Sequence, residues 1–352
     1  MMACGRSEDR AGIRSGGTAG RTRVISVILA LFAVSGAALA QPKPGEPANA
    51  DLAWTPPDPG ALPADPSGDL VRRGRDIFTA TYASLGPHAV DPARRYAGND
   101  LACQNCHLQG GTKRFGLPVY GLAKDFPQYS ARSGAEITLA DRINSCMTRS
   151  MNGRAMPAGS PELGALVAYL TFLSSGLPPG RNPDYGAGRM AELDRAADPD
   201  RGAPLFRQHC VMCHGEEGQG LLRTAHVPAL GYMVPPVWGT DSFNAGAGMN
   251  RLITLANYLH DNMPHGTDYE TPRLSAEEAW DIAAYVLAQP RPRKAGESAD
   301  FPNLLDKPVD TPYGPYADAF AESQHRFGPF APIRAAIRAL RETGASAPNP
   351  NR

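Results

Sequence analysis

Two copies of one short motif constrain this chain more than any other feature of its sequence. Each copy has two cysteines separated by two residues and followed directly by a histidine. In C-x-x-C-H motifs both thiols bond to a c-type haem, and the histidine ligates its iron. A thioredoxin-like redox pair is the alternative for a single C-x-x-C, but the histidine and the duplication favour haem. We therefore expect two covalently bound c-type haems, with the attachment residues Cys103, Cys106 and His107 for haem 1 and Cys210, Cys213 and His214 for haem 2.

The chain around the two motifs is repeated as well. Met156 and Met263 each lie 49 residues after the motif histidine, and each precedes a proline. Amphipathic helices are predicted before each motif and after each methionine, an order typical of small cytochromes c. We expect a mainly α fold of two class I cytochrome c-like domains joined by a linker, with an irregular C-terminal tail that contains one short basic helix, Ile333–Arg341.

The N-terminus has the pattern of an export signal. Arg21 and Arg23 precede an apolar run that ends in Ala-Leu-Ala at Ala40. The run is shorter than the ~20 residues of a comfortable membrane span; an uncleaved anchor is the alternative. We expect cleavage after about Ala40, a periplasmic protein, and no stable membrane insertion. The predicted segments are a signal peptide (1–40), an irregular N-terminal segment (41–69), domain 1 (70–180), a linker (181–195), domain 2 (196–290) and a C-terminal extension (291–352).

The overall charge excludes one class of partner. The chain has 35 basic and 35 acidic residues, so it lacks the basic excess that nucleic-acid binding requires. We expect no nucleic-acid partner.

The sequence pattern leaves more than one candidate for each distal iron ligand. For haem 2 the repeat nominates Met263, whose thioether would raise the reduction potential, with Met249 as the alternative. For haem 1 the repeat nominates Met156. A thiol in the same region, Cys146, competes for that position.

Cys146 belongs to no pair. Once the leader is removed, five cysteines remain, so they cannot all form disulfides. The segment from Ala135 to Gly153 is predicted to be one helix ended by the glycine. On that helix Arg142, Cys146 and Ser150 are four residues apart and share one stripe. Three interpretations stay open: a buried inert cysteine, Cys146 as the iron ligand, or Met156 as the iron ligand.

Several further segments carry a family resemblance. The chain resembles the dihaem thiosulfate dehydrogenases, periplasmic cytochromes that couple two thiosulfate ions into tetrathionate. The resemblance lies in INSCMTRSMNG (Ile143–Gly153), PPVWGTDSFNAGAGMNR (Pro235–Arg251), the NMP motif at Asn262–Pro264 and the tail from Lys307 to Ile333. It covers most of the chain after the leader.

The resemblance implies a site. It makes Cys146 the distal ligand of haem 1, assigns substrate binding to Arg132 and Arg142, and makes Ser150 an active-site residue. Asn262 stands where some members have a lysine that exchanges with the methionine, so plain His/Met ligation by His214 and Met263 is expected at haem 2.

The implied activity is oxidation of two thiosulfate ions to tetrathionate at haem 1. Electrons would pass through haem 2 to a small soluble cytochrome or similar acceptor. The direction of the reaction would depend on the reduction potentials of the two haems. Guanidinium groups suit such oxyanions; Arg149 is expected on a solvated face. The alternatives are a non-catalytic dihaem electron carrier and an electron-transfer subunit of a sulfur-oxidising complex, in which the tail would be a docking surface.

Overall fold

A computed structural model describes residues 54–177, 188 and 190–344. The predicted signal peptide and its cleavage site, and most of the predicted linker, lie outside these residues. The helices are α1 (Pro66–Thr79), α2 (Thr81–Leu85), α3 (Leu108–Gly111), α4 (Leu139–Met147), α5 (Pro161–Ser174), α6 (Pro199–His209), α7 (Val211–His214), α8 (Leu252–Asn262), α9 (Ala276–Ala288), α10 (Glu322–Phe327) and α11 (Ala331–Thr343). Two small antiparallel sheets pair β1 (Gln128–Ser130) with β2 (Ala135–Ile137), and β3 (Leu221–Leu222) with β4 (Tyr232–Val234).

Side-chain caps fix where the main helices begin. Asp65, Ser160 and Asp198 accept hydrogen bonds from backbone N–H groups in the first turns of α1, α5 and α6. A proline follows each of these caps, at a position where a missing N–H costs nothing. Ser275 and Glu278 form a reciprocal capping box at the start of α9. Local sequence therefore determines the four helices that frame the two haem motifs.

The repeat is visible in how these helices pack. Helix α1 packs against α5, and α6 packs against α9. A side chain at Gly74 would place its Cβ 2.0 Å from the carbonyl oxygen of Ala165, and one at Gly202 would place it 1.9 Å from that of Asp281. In both pairs a glycine lets the two backbones touch. The structure thus confirms a mainly α fold of two cytochrome c-like units.

This contact makes a prediction about stability. Gly202→Ala should lower the free energy of unfolding by about 1–3 kcal/mol, because the new methyl group must push α6 and α9 apart. Gly164 is the matched control: it is helical and exposed, and a Cβ there meets nothing within 4 Å. Gly164→Ala should instead stabilise the protein by about 0.5–1 kcal/mol. Thermal unfolding of both haem-loaded variants measures the difference, and equal effects would contradict the close contact.

Each haem motif has its own hydrophobic core. The core of haem unit 1 includes Phe78, Met147 and Leu166, and the core of haem unit 2 includes Phe206 and Trp280. These two clusters define what we call haem unit 1 and haem unit 2. The residue boundaries of the two domains remain predictions.

The C-terminal tail is mostly irregular up to α10, as expected. The basic helix is longer than predicted, since α11 runs from Ala331 to Thr343. Its apolar face joins the core of haem unit 2 through Ile333 and Ile337, and Phe330 packs there as well. The sequence did not predict that the tail would be built into the core.

Polar contacts connect the two haem units. The Asn99 side chain is fully buried, and its Nδ2 donates to the carbonyl oxygens of Ser150 (3.1 Å) and Ser242 (3.2 Å). Beside it, the backbone N–H of Asp100 donates to Oδ1 of Asp241 at 3.3 Å. Burial, and then the nearby charge of Asp241, raise the pKa of Asp100 to about 6, although His88 opposes this.

The raised pKa of Asp100 makes the stability of the protein depend on pH. Between pH 4 and pH 6 the folded state holds a proton on Asp100 that the unfolded chain has released, so the free energy of unfolding falls as the pH rises. The loss should be about 1–2 kcal/mol. Asp100→Asn should flatten this part of the profile. Melting temperatures at pH 4.5 and 7.5 test it, and parallel profiles for the two proteins would contradict it.

In the described part of the chain, none of the helices combines the length and the apolar character that crossing a lipid bilayer requires.

Candidate active site

A largely apolar cavity lies in the core of haem unit 1. Cys103, Cys106 and His107 all line it. The remaining walls are mostly aliphatic and aromatic side chains, among them Phe78 and Leu166. The Nδ1 atom of His107 lies 2.5 Å from the carbonyl oxygen of Leu117, so Nε2 is the ring nitrogen that could bind iron. The cavity therefore fits a c-type haem.

The second motif has a similar setting. Nδ1 of His214 lies 2.9 Å from the carbonyl oxygen of Pro235, so Nε2 is again the ring nitrogen that could bind iron. Phe206, Trp238 and Tyr285 form a cluster of aromatic rings in this unit. These residues fit a second haem.

The helix that carries Cys146 is shorter than predicted. Residues 135–137 form β2 instead, and Thr138 then starts α4 through a capping box with Asp141. The helix ends at Met147, and the N–H of Gly153 bonds back to the Met147 carbonyl oxygen at 2.9 Å. A strand pairing and a strong cap override the helical periodicity of this segment. Ser150 consequently lies in a turn, not on the helix.

Cys146 lines the haem 1 cavity together with His107. Met156 is not among the described residues that line it. Met156 is instead packed in the core, with 2% of its surface exposed. Asn144 fixes its backbone, accepting from the Met156 N–H at 2.8 Å and donating to its carbonyl oxygen at 3.0 Å. This packing favours Cys146 over Met156 as the distal group.

The surroundings of Cys146 favour its thiolate form. Burial pushes the pKa of the thiol up, but the charge of Arg142, a hydrogen bond with His107 and the charge of Arg132 push it down further, to about 7. Nη1 of Arg142 lies 3.5 Å from Sγ of Cys146. A cysteine in such an electropositive setting is more reactive than an ordinary buried thiol.

A second cleft adjoins the haem 1 cavity, and Cys146 lines both. The predicted site residues Arg132, Arg142 and Ser150 all line this cleft. The predicted helix face joins Arg142, Cys146 and Ser150, and the family resemblance adds Arg132. The structure brings all four together.

Arg132 is held by the tail. Its Nη1 donates to Oδ2 of Asp300 (3.1 Å), to the hydroxyl of Tyr313 (3.2 Å) and to the carbonyl oxygen of Gly246 (3.1 Å). The Tyr313 hydroxyl in turn donates to Asp300 at 2.6 Å. Three groups on one nitrogen fix the guanidinium and leave its other N–H groups for a ligand.

The expectation that Arg149 lies on a solvated face is wrong. Its side chain is 13% exposed and forms a bidentate pair with Asp300, at 2.7 and 2.9 Å. Asp300 lies in the tail, so the sequence pattern around Arg149 does not indicate this ion pair.

Sequence reasoning also missed Asp300, Tyr313 and Asn99 as residues that shape the site. Asp300 and Tyr313 hold Arg132, and Asn99 holds the backbone of Ser150. Tyr313 lies in the tail segment that carries the family resemblance, which was the one available signal.

Both methionine candidates for haem 2 belong to haem unit 2. Met263 packs against its core, as does Cys210, and Met249 is a buried member of that core. Met249 also lines the cleft beside Cys146. Cys213 is exposed, and the neighbouring Met212 is 96% exposed, so the second motif reaches the protein surface.

Two helical units that each contain a C-x-x-C-H motif define this chain as a dihaem c-type cytochrome. Residues 94–178 match the family model described as "SoxA/TsdA, cytochrome c domain". Residues 197–286 match the model described as "Cytochrome C oxidase, cbb3-type, subunit III".

Comparison with known proteins gives the family. The chain is 40% identical to the thiosulfate dehydrogenase of Allochromatium vinosum, covering 68% of this chain and 85% of that protein. It is 38% identical to the thiosulfate dehydrogenase of Psychrobacter arcticus, covering 72% and 73% of the two chains. The structure of the thiosulfate dehydrogenase TsdBA from Marichromatium purpuratum matches with a TM-score of 0.61 and 35% identity over 69% of this chain; the match spans 50% of that longer chain. The chain belongs to the thiosulfate dehydrogenase family.

Proposed function

We propose that this protein oxidises two thiosulfate ions to one tetrathionate ion and releases two electrons. The observation that carries the proposal is the cleft in which Arg132, Arg142 and Ser150 meet the Cys146 thiol beside the haem 1 cavity. No proton is consumed or released: two dianions lose one electron each and join through a new sulfur–sulfur bond.

The arginines counter the main physical obstacle to this reaction, which is the electrostatic repulsion between two thiosulfate dianions. Each guanidinium is permanently charged and offers several N–H donors to sulfonate oxygens. Arg142 lies beside Cys146, so an anion bound there has its terminal sulfur close to the thiolate. Arg132 is held in the cleft by its hydrogen bonds to Asp300 and Tyr313. The Ser150 hydroxyl adds a neutral donor to the same cleft.

The proposed iron ligands are His107 and Cys146 for haem 1, and His214 and Met263 for haem 2. When bound, the haems supply one-electron acceptors. A thiolate ligand lowers a haem potential relative to a thioether. With both haems bound, haem 1 would pass electrons to haem 2, and the exposed Cys213 edge would be where they leave.

We assign the protein to the periplasm, with the leader removed after about Ala40, and propose a small soluble cytochrome as the acceptor. A non-catalytic electron carrier would have no use for a cleft with four arginines, namely Arg132, Arg142, Arg149 and Arg251. In the third alternative the tail is a docking surface for a larger complex. Asp300 and Tyr313 of the tail instead bind Arg132 in the cleft, which favours a role inside the site.

The test is an assay of the haem-loaded protein with thiosulfate and an artificial electron acceptor. The proposal predicts two acceptor electrons per tetrathionate formed, with tetrathionate identified as the product. Sulfite would serve as the control anion, since it lacks a sulfane sulfur. A protein that exchanges electrons with reduced cytochromes but gives no thiosulfate-dependent reduction would be a carrier, and the proposal would be wrong.

A further inference from the structure

The loop that follows the first haem motif has an unusual backbone. Phe115 has φ +57° and Leu117 has φ +51°, with Gly116 between them. Residues other than glycine rarely adopt this left-handed region of backbone conformation, and they keep it only where the surrounding structure holds them. The loop ends at the Leu117 carbonyl oxygen, 2.5 Å from Nδ1 of His107. The strained conformation is therefore what aims this carbonyl at the proximal histidine.

Haem unit 2 holds the loop in place. Nδ2 of Asn262 donates to the carbonyl oxygen of Phe115 at 3.0 Å and to that of Tyr258 at 3.1 Å. Asn262 is 2% exposed, and a Cβ on Gly116 would lie 3.3 Å from its Oδ1. The ring of Phe115 packs edge-on against Tyr269, with centroids 4.8 Å apart. Asn262 thus covers the strained loop directly.

Asn262 also adjoins the proposed methionine ligand of haem 2. It is the residue immediately before Met263, at the end of α8. Its Oδ1 has no hydrogen-bond partner among the described residues, so the side chain acts here as a donor. One side chain therefore connects the methionine loop of haem 2 with the loop that contacts the histidine of haem 1.

We propose that Asn262 is a positioning residue that sets the hydrogen bond on His107 and thereby the potential of haem 1. If Nε2 of His107 bound the iron, Nδ1 would carry the ring proton and donate a hydrogen bond to the Leu117 carbonyl oxygen. A strong hydrogen bond at this nitrogen makes the imidazole a better electron donor, which stabilises the oxidised iron. The inference rests on the proposed role of His107 as a ligand, and it does not require thiosulfate oxidation.

The test is a redox titration of the haem-loaded protein without thiosulfate, with the two haems followed separately by their spectra. In Asn262→Leu the loop loses its donor, so the midpoint potential of haem 1 should rise while the methionine band of haem 2 persists. Asn257→Leu is the matched control: Asn257 is buried on the same helix but contacts Met190 and Ile253. It should leave haem 1 unchanged.

A second pair of variants decides the matter if Asn262→Leu fails to load haem. Tyr269→Leu removes the ring that packs on Phe115, and should shift haem 1 in the same direction by a smaller amount; Tyr269→Phe keeps the ring and should not. An unchanged haem 1 potential in Asn262→Leu would overturn the proposal, as would a change confined to haem 2; if Asn262→Leu does not load haem, an unchanged haem 1 potential in Tyr269→Leu would overturn it. Loss of activity in either variant has no bearing on it, so failure of the proposed enzymatic function would remain distinguishable.

Discussion

Cys146→Gly is expected to lower thiosulfate-dependent turnover on the order of a hundredfold or more, with both haems still attached. The variant keeps Cys103, Cys106, Cys210 and Cys213, so haem attachment does not depend on it. What it removes is the thiolate that lies 3.5 Å from the Arg142 guanidinium and lines both cavities. Initial rates with an artificial acceptor, normalised to haem content, measure the effect.

Met156→Leu is the control for this loss. Met156 is buried in haem unit 1, and it is not one of the described residues that line the haem 1 cavity. Leucine keeps the approximate volume of the methionine side chain. Turnover in Met156→Leu should stay close to the wild-type value. Full turnover in Cys146→Gly, or a collapse in Met156→Leu with Cys146 intact, would contradict the assignment of the catalytic thiol.

Asp300→Asn should have the second-largest effect, on both stability and substrate binding. The substitution keeps the shape of the side chain but leaves Arg132 and Arg149 without their shared carboxylate. Breaking a buried ion pair from one side typically costs about 3–5 kcal/mol of unfolding free energy. Because Arg132 is no longer held in the cleft, KM for thiosulfate should rise by roughly tenfold or more, and more than kcat falls.

Asp306→Asn serves as the comparison. Asp306 lies in the same tail and pairs with Arg341, but both side chains are partly exposed. A surface pair of this kind contributes about 0–1 kcal/mol, and KM should not change. If Asp300→Asn and Asp306→Asn behave alike, the tail does not position the cleft arginines.

The parts of this structure that sequence could predict are those encoded locally or by repetition. The two haem motifs, the capped helices beside them and the equal spacing of Met156 and Met263 all repeat within the chain. Gly74 and Gly202 occupy equivalent places in the two helix pairs, each four residues before a buried phenylalanine.

The parts that sequence could not predict depend on distant partners. Asp300 is 168 residues from Arg132, and no periodicity connects them. The prediction for Arg149 failed for the same reason, since a carboxylate from the tail buries a side chain that the predicted helix would have exposed. The helix prediction from Ala135 failed because Ala135–Ile137 pairs with Gln128–Ser130. The contact of Asn262 with Phe115 likewise exists only once the two units have packed.

Cys146, and not Met156, is the proposed distal ligand of haem 1. The most direct measurement is electron paramagnetic resonance of the oxidised protein, taken together with its near-infrared absorption, in the wild type and in Met156→Leu. We predict one low-spin haem with His/thiolate character and one methionine-ligated haem, with both signals unchanged by Met156→Leu. Two methionine-ligated haems in the wild type, one of which is lost in Met156→Leu, would contradict the account.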